Sequence, residues 1–234
     1  DCFNNFEINK FLLSNRIKLN TKICTQCNQT HSVKSSGQEL MILDFIKGLY
    51  SGKIETNKKD IIHPYEIDIF LPDIKLAIEF NGLYCHSEKF KAKEYHFIKH
   101  KLCKEKGINL LQIWEDDWMY RSDIIKSIIL NKLNLTPNKI FARKCQVRMI
   151  TNKESNEFIN SNHLQGFSKS PINIGLYHNK ILVSVMSFSK LRKALGNKNS
   201  ELYKFELNRF CNKIGYNVVG GGSKLLSFFM KNFK

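Results

Sequence analysis

The sequence has no stretch approaching the roughly 20 apolar residues that a membrane-spanning helix requires, and it opens without the charged-then-apolar pattern of a secretion signal. The expectation is a soluble, intracellular protein with no membrane partner. A cysteine framework is also missing. The seven cysteines are odd in number and scattered, which suits a reducing compartment better than a disulfide-stapled secreted domain. Carboxylates are scarce too: 21 Asp and Glu stand against 37 Lys and Arg, a formal net charge of +16. What is present is globular in kind. Over 234 residues, 42% are hydrophobic and 25% charged, enough for one large or two modest cored domains. The chain begins at Asp1 and stops inside a helical pattern at Lys234, as expected of a fragment.

The shortage of acid is uneven. Residues 1–34 carry five basic and two acidic side chains, residues 35–135 fifteen of each, and residues 136–234 seventeen against four. A balance this basic favours a polyanionic partner, most commonly nucleic acid, although ribosomal and membrane-surface proteins share it. The split suggests a catalytic segment that keeps its carboxylates and a C-terminal segment that grips phosphate. The expected divisions are a Cys-containing segment over 1–34, a catalytic domain over 35–136 and a basic α+β domain over 137–234, cut short at its C-terminus.

The chain is organised around residues 65–86. Tyr65, Ile67, Ile69 and Leu71 alternate with Glu66 and Asp68; after a Pro-Asp turn, Leu76, Ile78 and Phe80 alternate with Ala77, Glu79 and Asn81. A two-residue period broken by a short turn predicts a β-hairpin. With the turn centred on Asp73 and Ile74, paired positions sum to 147 and Asp68 faces Glu79. Opposed residues have Cβ atoms about 5 Å apart. Two carboxylates that close repel unless a cation, commonly a divalent metal, lies between them. On an ordinary amphipathic hairpin both would instead face water.

Asp68, a turn, then Glu79-x-Asn81 closing an apolar strand resemble the core of the PD-(D/E)xK nucleases, with Asn81 where that pattern usually has lysine. The run Asn-Gly-Leu-Tyr-Cys-His that follows, ending at His86, is similar to the very-short-patch repair endonucleases and the related phage homing endonucleases, over about residues 37–135. The resemblance implies an α/β (α+β) fold with a restriction-endonuclease-like mixed sheet flanked by helices. It implies double-stranded DNA as substrate, Mg²⁺ or Mn²⁺ as cofactor, and a phage or mobile element in a bacterial host as the source. It further implies that Asp68 and Glu79 hold the metal, that His86 takes the proton of the attacking water, and that Glu39 arranges the metal's water shell. Asn81 can hydrogen-bond phosphate or water but cannot supply lysine's charge, which Lys99 could restore from the neighbouring helix. The oligomeric state stays open, a monomer included.

Other stretches are read around this one. Cys24-x-x-Cys27, with Cys2 and His31 nearby, offers half of a structural zinc site, or unpaired thiols in a linker; Cys85 and His86 are a second, weaker zinc pair. Residues 35–50 read as a helix in which Glu39 shares a face with Leu43 and Ile46. Lys89, Lys91 and Lys93 form a basic loop suited to a phosphate backbone. Residues 94–106 read as a helix on which His96, Lys99, His100 and Cys103 lie near one another. Residues 108–114 read as a strand central in the sheet, and a single helix follows from Glu115 to about Leu133. Beyond residue 139 the pattern predicts a basic strand over 143–150 (Arg143, Lys144 and Arg148 as DNA contacts), a helix over 153–161, a hairpin across His178-Asn179-Lys180, a strand over 203–210 and a helix after Gly220-Gly221-Gly222. This half is similar to the domain that follows the nuclease core in phage homing-type endonucleases. It also faintly resembles acyl-CoA N-acetyltransferases, whose Gly-rich turn cradles a pyrophosphate. Three functions therefore stand at this point: a metal-dependent DNA endonuclease, a basic DNA-binding protein with an inactive core, and an acyl-CoA-dependent acyltransferase using the glycine loop.

Overall fold

The computed structural model describes residues 37–82, 94–191 and 204–233, together with residues 8, 13, 17 and 24. The fold is α+β, in two compact units: residues 1–80 with 94–111, and residues 81–93 with 112–234.

In the first unit, helix α1 (Gly37–Lys47) buries Ile42, Leu43 and Ile46 together with Glu39, as its spacing predicts. Strands β1 (Glu55–Ile62), β2 (Tyr65–Leu71), β3 (Leu76–Asn81) and β4 (Asn109–Trp114) form one sheet in that order. The β2–β3 register runs Ile69 to Ile78, Phe70 to Ala77 and Leu71 to Leu76, a constant sum of 147. The turn is a short 3₁₀ segment, Pro72–Ile74, closed by Lys75 in the left-handed region at φ 49°. Its geometry is held from outside: the Asp73 carboxylate accepts from the Tyr50 hydroxyl at 3.1 Å and from the Lys53 N–H at 2.9 Å. Helix α2 (Tyr95–Glu105) ends before Gly107, at φ 69°. It links β3 to β4, and the Asn109 N–H donates to the Lys75 carbonyl at 2.8 Å. Those adjacent strand starts, joined by a helical crossover, run parallel and make the sheet mixed.

One expectation is corrected here, and one strand is new. Among the described residues β4 is an edge strand rather than a central one; only Ile113 on it is buried, whereas all six residues of β3 are. The edge opposite is β1, whose four charged residues hid it from periodicity. Charged edges discourage pairing with other chains, so such a composition belongs there.

In the second unit the expected single helix is two, α3 (Glu115–Tyr120) and α4 (Ser122–Lys132). Arg121 leaves the helical region at φ −139°, and its guanidinium donates to the His163 carbonyl at 2.9 Å. The expected strand over 143–150 is also revised: β5 (Asn138–Phe141) is followed by a 3₁₀ turn, Ala142–Lys144, and only then by β6 (Gln146–Met149). Lys224 Nζ fixes that turn by donating to the carbonyls of Ala142 and Cys145, at 3.0 and 2.7 Å.

Helix α5 (Asn152–Asn162) starts with a reciprocal cap between Thr151 and Glu154. Strands β6, β7 (Ile172–His178), β8 (Ile181–Lys190) and β9 (Phe205–Asn212) form an antiparallel sheet. The β7–β8 turn places Asn179 and Lys180 at positive φ, the two-residue geometry that matches strand twist. β10 (Tyr216–Val219) pairs parallel with β5 and leads into α6 (Gly221–Asn232). Phe158 and Ile159 of α5 pack with Val185, while Leu225 and Phe229 of α6 pack with Met186 and Phe188. Neighbouring residues of β8 thus supply different cores, as strand alternation requires of a sheet covered on both faces.

Candidate active site

The β2–β3 hairpin sets the site. Continuing the observed register by one pair places Asp68 across from Glu79. Asp68 Oδ2 accepts the Phe80 N–H at 2.8 Å, which fixes the carboxylate against the partner strand. Neither acid is a solvated surface group: Glu79 is 3% exposed and Asp68 is half-buried. The water-facing hairpin is therefore not what forms.

Lys99 reaches this pair from α2. Its ammonium forms an ion pair with the Glu79 carboxylate, and the lysine itself is 1% exposed. It is not part of a solvated basic face, whereas His100 one residue on is exposed. The Tyr95 ring lies under the Lys99 ammonium at 5.4 Å and meets Tyr65, at the start of β2, edge-on. These two tyrosines were not singled out from sequence; a large aromatic at the first position of a strand or helix reads as ordinary core.

The electrostatics follow. Burial, then the Glu79 charge and more weakly that of Glu39, raise the Asp68 carboxyl to about 7; the Phe80 N–H and Lys99 pull the other way. Glu39 is buried on α1 and close enough for its charge to be felt at Asp68. Asn81, two residues beyond Glu79 on β3, is fully buried, and among the described residues neither its Oδ1 nor its Nδ2 has a hydrogen-bond partner. The structure thus brings together Glu39, Asp68, Glu79 and Lys99. His86, Lys89, Lys91, Lys93 and Cys27 lie outside the described residues, and Cys24 is buried.

The donor set bears on which cation fits. Among the described residues no three His, Cys, Asp or Glu side chains converge closely enough to cage an ion by themselves. A nearby cysteine, Cys103, is buried, and burial above all raises its thiol. What remains is one or two hard carboxylate oxygens in a site of excess negative charge. That set suits Mg²⁺ or Mn²⁺, which keep several waters and take further ligands from phosphate. It does not suit structural zinc.

No family model and no curated protein matches the sequence. A solved structure titled Homing Endonuclease I-Bth0305I Catalytic Domain is similar over 43% of this chain and 96% of its own, at 24% identity and a TM-score of 0.35. Among the described residues no helix is long and apolar enough to cross a membrane.

The second unit holds the other expected residues. Arg143, Lys144 and Arg148 are exposed; Arg143 lies 5.1 Å from the Phe141 ring and Arg148 5.2 Å from the Tyr177 ring. The glycines before α6 are occupied by packing. A Cβ on Gly221 would meet the Val218 side chain at 3.1 Å, and one on Gly222 the Phe210 ring at 3.3 Å. Together with the hydrogen bonds of Lys224, this accounts for the glycine run without a bound pyrophosphate.

Proposed function

We propose that this protein is a metal-dependent DNA endonuclease. The observation that supports the reading is the arrangement of Asp68 and Glu79 on paired strands, with a carboxyl raised to about 7 and one buried lysine as partial counter-charge. A site that keeps unneutralised acid in its core costs stability, and sites that bear such a cost are commonly functional.

Asp68 and Glu79 would hold the divalent ion, with Glu39 orienting its water. Bound there, the ion would polarise the scissile phosphate and acidify the attacking water. Phe80 keeps Asp68 in one orientation through its N–H, and Lys99 brings the positive charge that position 81 lacks. The amide of Asn81 offers a donor to a phosphate oxygen or to water. His86, five residues past the end of β3, is proposed as the proton acceptor, because a neutral imidazole suits that task near pH 7. Arg143, Lys144 and Arg148 are proposed to contact the DNA backbone, within a segment whose seventeen basic residues outnumber four acidic ones.

The test is nicking of supercoiled plasmid with Mg²⁺ and with EDTA, using wild type, Asp68→Ala and His86→Ala. Metal-dependent nicking that both substitutions abolish, with DNA binding retained, is the expected result. Tight binding by the wild type with no cutting under either condition would make the protein a DNA-binding module with an inert core.

A further inference from the structure

We infer that a cavity in the second unit is a binding site for a nucleobase. It measures about 380 Å³, within the range of small-ligand pockets, and is bounded by α4, the end of α5 and the β9–β10 segment. Its polar walls are largely asparagine, Asn131, Asn162, Asn212 and Asn217, and Phe210 and Tyr216 supply flat aromatic surface. A carboxamide presents a donor beside an acceptor, the arrangement that pairs with the edge of a base. An aromatic ring adds stacking that every base can use.

The four amides are not equally engaged. Asn162 is committed to the fold: its Oδ1 accepts the Ile214 N–H at 2.7 Å and its Nδ2 donates to the Phe158 carbonyl at 2.7 Å. Asn131 has a long contact from Nδ2 to Thr136 Oγ1, at 3.4 Å. Asn212 Oδ1 is shut off from solvent and has no hydrogen-bond partner among the described residues. A buried acceptor left in that state is unfavourable, and turning the amide so that its oxygen meets the cavity would let a ligand's amino group relieve it.

The ionisable groups at the cavity fit the same ligand. Among the described residues no carboxylate lines it. Burial, then the charges of Arg209 and Arg121, lower His163, so its imidazole is neutral at pH 7. Burial pushes the Cys211 thiol up to about 12, which removes it as a nucleophile. Lys213 supplies positive charge: its Nζ covers the Tyr216 ring at 5.5 Å from the centre, so a base stacking there displaces the ammonium, which is then free to meet the nucleotide's phosphate. Acyl chains would find too many amides, and a polyanion without a base would find only Lys213 among the cavity's own side chains.

A base can arrive on a free nucleotide or swung out from a nucleic-acid strand; the second source rests on the DNA reading above. The experiment titrates the protein with dAMP, dCMP, dGMP and TMP, with base-free deoxyribose 5-phosphate, and with a mixed-sequence single-stranded DNA of about 20 nucleotides. Wild type is compared with Asn212→Ala, Asn217→Ala and Asn212→Asp, the last keeping the side-chain shape while removing the amide donor. The site is supported by binding that needs the base and weakens about tenfold or more on losing either amide, the size expected of a good bidentate contact. Side-chain amide resonances of Asn212 and Asn217 should shift with it. Mononucleotide binding identifies a free ligand, and strand binding alone with the same asparagine dependence identifies a presented base. If no mononucleotide binds and the strand binds all variants equally, the inference is overturned while the DNA reading stands. Nucleotide binding by a protein that holds no DNA would sink the DNA reading and leave this one intact.

Discussion

Lys99 on α2 and Glu79 on β3 form an ion pair in which both side chains are almost wholly removed from solvent. A pair so buried is not strong evidence of stability, since desolvating both charges offsets most of their attraction. Its asymmetry is what matters. Lys99→Met leaves Glu79 buried without its counter-charge and should cost about 3–5 kcal/mol, whereas Lys99→Met with Glu79→Gln should recover most of that loss. Urea unfolding of the two single variants and the double variant measures it. Additive losses would mean the two side chains do not act as a pair.

Asp68 makes stability depend on pH in a stated direction. Its folded pKa of about 7 lies above the ordinary 3.8, so between those values the folded protein binds the proton that the unfolded chain releases. Metal-free stability should therefore fall as pH rises through that window and level off above it. Asp68→Asn, which can still accept the Phe80 N–H, should be more stable than wild type by roughly 1–4 kcal/mol at pH 8 and nearly equal to it at pH 4. Thermal unfolding in EDTA at the two pH values checks the sign. Adding Mg²⁺ should close the gap only where Asp68 is present.

Arg143, Lys144 and Arg148 should act on DNA through charge. Replacing each with Ala should weaken binding alike on unrelated sequences and reduce the slope of log affinity against log salt by about one for each phosphate no longer neutralised. Binding measured from 50 to 200 mM salt reads this directly. Unchanged slopes in all three variants would remove these residues from the interface.

Gly220, at φ 76°, begins α6 from the left-handed region. Added side-chain bulk finds room, since the nearest atom to a Cβ there is that of Ala142 at 3.8 Å. Gly220→Ala should thus cost only the backbone term, about 1 kcal/mol. Gly221→Ala gives up no positive φ, so its effect is set by how far the Val218 side chain, at 3.1 Å, yields to the new methyl. Denaturant midpoints of the two variants give the order.

Sequence was most informative where periodicity and turn chemistry agreed. The β2–β3 register, and with it the pairing of Asp68 and Glu79, followed from alternation on either side of a turn centred between residues 73 and 74. The Asn179-Lys180 hairpin was legible for the same reason. β1 was not, because edge strands tolerate Lys58, Lys59 and Asp60, which erase the alternation. β4 misled in the opposite way: an apolar run reads as central, yet it closes an edge. The break at Arg121 depends on a carbonyl 42 residues away, which no local pattern encodes. In the candidate site the acids were visible and the burial of Lys99 was not, since lysine is normally solvated; the available signal was Cys103, one turn further along the same helical face.

The β5–β10 pair has a temporal consequence. It joins residues far apart in the chain, and the Asn138 side chain is tied to the Gly215 carbonyl across 77 positions. Contacts of such long separation form late, after the intervening hairpins have shortened the loop to be closed. During synthesis this closure must wait for residue 219 to leave the ribosome. Arrested chains ending before β10 should then be cut by protease at residues 138–141, which chains that include β10 protect.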